Sequence, residues 1–153
     1  MANPNWDDGM KVTIPAKGNG GYWTLVLEYL DGSGKLMFVV PDDEDEHPQR
    51  WTLGEGMLCT ADGDPKAPIN PANCILANAT PGALIAKIGG STAGKNDGAK
   101  VFVVGRFCVL DLDETIKGPL YLTMNSDVMS ESERGGEIRV MVYRSLSAAS
   151  APP

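Results

Sequence analysis

The chain reads as an all-β protein, a two-sheet antiparallel β-sandwich of jelly-roll-like form, and three observations point there. Short runs rich in β-branched and aromatic residues recur along its 153 residues. Turn clusters separate them, within a total of 18 Gly and 11 Pro, more than helix bundles tolerate. No stretch sustains apolar spacing at i, i+3, i+4, i+7, the signature of an amphipathic helix. About eight or nine short strands joined by Gly/Pro loops make a sandwich.

In chain order, Lys11-Val12-Thr13-Ile14 is a short strand ending at Pro15, and the Gly-rich segment from Ala16 to Gly21 is a connector. Tyr22 to Leu30 (YWTLVLEYL) and Lys35 to Val40 (KLMFVV) flank Asp31-Gly32-Ser33-Gly34, a pattern that predicts a β-hairpin. Five adjacent acids, Asp42 to Glu46, repel one another and form a solvated loop that ends in His47 and Pro48. Trp51 to Cys59 resumes apolar character, and the Pro/Asn/Asp-rich stretch from Ala61 to Asn73 is long enough to be functional. Two apolar runs follow, Cys74-Ile75-Leu76 and Ala83 to Ile88. Val101 to Gly105, Arg106 to Leu112, Leu120 to Met124 and Ile138 to Tyr143 complete the strands. The expected organisation is one sandwich domain over 1–144, partly flexible over 1–21, with a low-complexity disordered tail over 145–153.

Composition removes several classes of function. Thirteen basic against 20 acidic residues give −7, so a phosphate backbone or an anionic membrane surface is repelled. No apolar run approaches the roughly 18–20 residues that span a bilayer. The opening Met1-Ala2-Asn3-Pro4-Asn5-Trp6-Asp7-Asp8 lacks a basic-then-apolar leader, so the expected location is the cytoplasm, or outside the cell without a signal peptide. Cys59, Cys74 and Cys108 show no CxxC spacing, and with one histidine in the chain a zinc site is not expected. They read as small buried thiols, or as one disulfide, Cys59–Cys74, with a thiol left over.

Catalysis is not expected. His47, the single base available to a nucleophilic triad, lies in the acidic loop, and no GxSxG, HExxH, Walker or GxGxxG pattern is present. Calcium, which takes six to eight hard oxygens from loops, has three candidate clusters. These are Asp62-Gly63-Asp64, Asn96-Asp97, and Asn125-Ser126-Asp127 running on to Glu133, each of which is also a plain turn composition. Among the aromatics, Trp23 and Tyr121 sit in apolar runs and read as core. Trp51 is either a surface ring for sugar stacking or a plug under the long loop.

Pro81-Gly82-Ala83-Leu84-Ile85-Ala86-Lys87-Ile88-Gly89, then Val103-Val104-Gly105, then Gly118-Pro119-Leu120-Tyr121-Leu122-Thr123-Met124-Asn125 resemble the strand pattern of PA-IL-like (LecA-like) galactose-binding domains of bacteria. Trp51 ahead of Cys59-Thr60-Ala61-Asp62-Gly63 is similar to that family's Trp and Cys-x-x-Asp-Gly turn, and the likeness spans roughly Lys35 to Val142. It implies a small jelly-roll-like lectin whose calcium is completed by the vicinal hydroxyls of the sugar. The implied metal set is Asp127, the Cys59 carbonyl, Glu131 and Glu133. The implied ligand-binding set is Asn125, Asp127, Val128, Asp62 and Trp51.

The loop departs from the family pattern at Arg134, which stands about where a ligand is expected. A guanidinium has no lone pairs; it repels calcium or replaces it by pairing with carboxylates. Two functions are therefore expected in competition. One is a calcium-assisted, galactose-type carbohydrate-binding domain. The other is a non-catalytic protein-interaction or structural module that keeps the fold without calcium or sugar. Partners are accordingly a carbohydrate or a protein, with a homo-oligomer allowed.

Overall fold

A computed structural model describes residues 6–17, 23–54, 57–77, 79–91, 97–98, 100–126 and 134–146. The strands are β1 (Met10–Pro15), β2 (Thr24–Leu30), β3 (Lys35–Val39), β4 (Trp51–Gly54), β5 (Met57–Cys59), β6 (Leu84–Ile88), β7 (Lys100–Val103), β8 (Phe107–Asp111), β9 (Gly118–Met124) and β10 (Glu137–Arg144). A 3₁₀ turn at Pro71–Asn73 interrupts the long loop. The first sheet has the order β1-β10-β3-β8, the second β2-β9-β6-β7, and β4 pairs with β5 alone. Every pairing is antiparallel. With β4 and β5 set aside, the eight remaining strands are wound as a jelly roll.

Alternation along the strands builds the core. On β3, Leu36 and Phe38 are buried while Lys35, Met37 and Val39 are not, and on β10 Ile138, Val140 and Val142 alternate in the same way. These side chains meet Leu84, Ala86, Ile88, Leu120, Leu122 and Met124 from the other sheet. All five residues of β6 are buried, because this central strand is covered on both faces.

The hairpin expected between Tyr22–Leu30 and Lys35–Val40 does not form. Strand β2 pairs with β9, whereas β3 pairs with β10 and β8 in the opposite sheet. The Asp31–Gly34 turn arches across the sandwich, with Gly32 and Gly34 at positive φ and Asp31 accepting hydrogen bonds from the Ser33 N–H and hydroxyl. A β-carbon at Gly32 would stand 2.4 Å from the Asp113 carbonyl oxygen, so the arch packs tightly on the next turn. A Gly-rich reversal sets where the chain turns back. Burial then decides that Leu30, Leu36 and Phe38 face one another in a common core.

Other expectations resolve as follows. Cys74-Ile75-Leu76 forms no named strand, although Cys74 and Ile75 are buried. All three cysteines are free thiols, so the Cys59–Cys74 disulfide is not made. His47 and the acids around it are solvent-exposed, apart from a half-buried Asp43 that accepts N–H bonds from Asp45 and His47. Ser145, assigned to the tail, is ordered: it bridges to Trp6 and its hydroxyl accepts the Lys35 N–H. Residues 1–5, 18–21 and 147–153, where flexibility is expected, lie outside the described residues.

Candidate functional site

Of the residues expected to bind calcium and sugar, Trp51, Cys59, Asp62 and Asn125 lie at the end of the sandwich where β9 finishes and β6 begins. Gly82 is the hub of this end. Its carbonyl accepts the indole N–H of Trp51 at 2.9 Å and the Cys59 thiol at 3.8 Å, and its N–H donates to the Asn125 carbonyl at 2.7 Å. Gly82 has φ 87°, and a β-carbon there would lie 2.5 Å from Cys59 Sγ. Only glycine fits.

Each described member of the expected site is engaged by the protein itself. Trp51 is 1% exposed, so the plug alternative is correct and ring stacking on a sugar face is not offered. Asn125 is fully buried; its Oδ1 accepts the Leu76 N–H and its Nδ2 donates to the carbonyls of Leu76, Ala79 and Thr80. That amide staples the 76–80 turn to the end of β9. Asp62 holds the β7–β8 turn, accepting the Arg106 N–H and Nε–H, each at 2.9 Å. Burial first, then the Asp64 carboxylate, push the Cys59 thiol up to about 11, so it stays protonated at neutral pH. Asp127, Val128, Glu131 and Glu133 lie outside the described residues.

Arg134 also lies at this end. Its Nη1 donates to Oγ of Ser126, a residue with no exposed surface that directly precedes Asp127 in the chain. The neighbouring Gly135 exchanges both backbone hydrogen bonds with Thr52 of β4. A fixed cation is thereby held beside Ser126, the last described residue before Asp127. Among the described residues no group of three or more His, Cys, Asp or Glu side chains is arranged to hold a metal ion.

The structure also shows a polar cluster that sequence reasoning missed. Lys87, inside the apolar run of β6, points to the outer face of the second sheet and is 0% exposed. Its Nζ lies 5.0 Å from the ring centres of both Trp23 and Tyr121, 2.7 Å from Asp97 Oδ1, and donates to the Ser91 carbonyl. Hydrogen bonding from Lys87 holds the Asp97 carboxyl below its ordinary value. The signal was available: a lysine at the middle of a strand buried on both faces must carry its own partner. Clefts lie elsewhere among the described residues. One, about 380 Å³, is lined by Asp7, Asp31, Lys35, Arg144 and Ser145 at the far end, and another, about 430 Å³, by His47, Pro48, Arg50 and Thr60. In the first, Asp7 and Asp31 already accept backbone N–H groups from Gly9, Arg144 and Ser33. No protein-family model matches the chain, and no curated protein is found similar to it.

Proposed function

We propose that the chain is a non-catalytic protein-interaction module that keeps the jelly-roll scaffold and works without calcium. The observation that carries this reading is the Arg134 guanidinium on Ser126, a permanent positive charge where an ion would need oxygen donors. The engagement of Asn125, Asp62 and Trp51 within the fold supports it.

A second reading, calcium-assisted binding of a galactose-type carbohydrate through Asp127, Val128, Glu131 and Glu133, is favoured by one feature. Cys59, Asp62 and Asn125, three residues that the resemblance names, each bond or pair with Gly82–Ala83. Calorimetric titration with calcium and then galactose separates the two readings. The interaction module gives no heat with either, and Arg134→Asn gains calcium binding. Wild-type calcium binding in the micromolar range, followed by heat from galactose, establishes the carbohydrate reading.

A further inference from the structure

The four outermost strands of the two sheets are not equally defended against pairing with another chain. Strand β1 carries Lys11 and ends at Pro15, β2 is broken by register shifts between Leu25 and Leu27 and between Leu27 and Leu30, and β7 is four residues long and opens on Lys100. Lysine, proline, bulges and brevity are the usual protections of an edge. Strand β8, Phe-Cys-Val-Leu-Asp, has none of them: its register with β3 is regular throughout, and its lone charge, Asp111, is paired with Lys35 at 3.3 Å. Phe107 and Val109 on it are 61% and 46% exposed.

The hydrogen-bond phase of that edge can be read directly. The Val40 N–H donates to the Arg106 carbonyl and the Leu112 N–H to the Gly34 carbonyl, so even-numbered residues of β8 face β3. Phe107, Val109 and Asp111 therefore turn their N–H and C=O groups away from the sheet. Beside them on the outer face lie Val39, Met37, Met141 and Tyr143, opposed in register as Phe107–Val39–Met141 and Val109–Met37–Tyr143. The edge is continuous with an apolar strip.

We infer that β8 pairs antiparallel with β8 of a second copy of this chain, about a two-fold axis at Cys108. Register and charge select the copy and the axis. With the axis at Cys108, Phe107 lies opposite Val109 of the second copy twice over, and Asp111 falls opposite Gly105, so no like charges meet. An axis at Val109 would instead set Phe107 against Asp111, and an odd shift would put outward residues against inward ones. A symmetric edge of this kind is self-complementary and closes after two copies. Five residues span about 17 Å, and such an edge buries less than the roughly 800 Å² per partner of a standard interface, so the dimer is weak and concentration-dependent.

The test is sedimentation velocity of the full chain from about 10 µM to about 1 mM, a range that brackets weak association, with amide exchange measured at both ends. The expected result is a reversible monomer–dimer equilibrium, with the Phe107 and Val109 amides gaining protection at high concentration. Val109→Lys is expected to weaken the dimer at least about tenfold by opposing an ammonium to Phe107. Leu25→Lys, an equally exposed position on β2, leaves the dimer intact while controlling for added charge. A monomer throughout the range overturns the inference. So does a dimer that ignores Val109→Lys or forms without protecting those two amides.

Discussion

The middle of the second sheet's outer face and the β8 edge of the first sheet both carry apolar side chains and are treated in opposite ways. On the two central strands of the second sheet, Ile85, Lys87, Tyr121 and Thr123 point outward yet are at most 6% exposed, with Trp23 and Ile75 packed there in a second small core. Leu25 and Val103 on its edge strands are, by contrast, 48% and 46% exposed. On the first sheet, Phe107 and Val109 point outward, and the chain leaves them in water. The difference teaches which outward groups the fold satisfies itself and which it leaves exposed. Where its own loops cover a face, polar groups are matched within the fold, as with Lys87 and Asp97 or Asn125 and the 76–80 turn. At the β8 edge, Phe107 and Val109 are left 61% and 46% exposed.

Substitutions at the two faces sharpen the contrast. The largest effect is expected for Trp23→Ala, which removes the cover of the second sheet and costs about 3–5 kcal/mol in denaturant unfolding, as for other buried tryptophans. Next come the two partners of the ion pair between buried Lys87 and exposed Asp97, which respond unequally. Asp97→Asn lowers the melting temperature because it leaves the Lys87 ammonium buried without its carboxylate. Lys87→Met keeps stability within about 1–2 kcal/mol of the parent, or raises it, since an apolar chain of similar volume suits the Trp23–Tyr121 slot.

A smaller effect appears at alkaline pH. The folded Cys59 thiol titrates at about 11 against an ordinary 9.0. A raised folded value means its contribution is complete below 9.0 and is lost as pH climbs through about 11. Cys59→Ala should flatten the fall in melting temperature over that interval. The smallest effect is on the open face: Phe107→Ala changes monomer stability by no more than about 0.5 kcal/mol. A cost as large as that of Trp23→Ala would mean the face is not open at all.

The fold class and most strands were legible from period and turn chemistry, because alternation along β3 and β10 and the turn residues between runs reflect burial and backbone geometry directly. Partnership was not. Asp31-Gly32-Ser33-Gly34 specifies a reversal, and whether β2 and β3 then lie side by side or face to face depends on β9 and β10, nearly a hundred residues downstream. At the candidate site, residue type suggested ligands where the fold uses staples. Asn125, Asp62 and Trp51 are chemically able to contact a sugar, and each is occupied by a neighbouring turn. Lys87 was hidden in an apolar run because its partners, Trp23, Tyr121 and Asp97, come from three separate segments.

The claim that the polar end of the sandwich is closed to calcium by its own arginine is tested most directly by a crystal structure grown in millimolar calcium. The expected result is the Arg134 guanidinium on Ser126 and no ion between that side chain and residues 127–133. An ion ligated there by Asp127, Glu131 or Glu133, with Arg134 turned out to solvent, would contradict it.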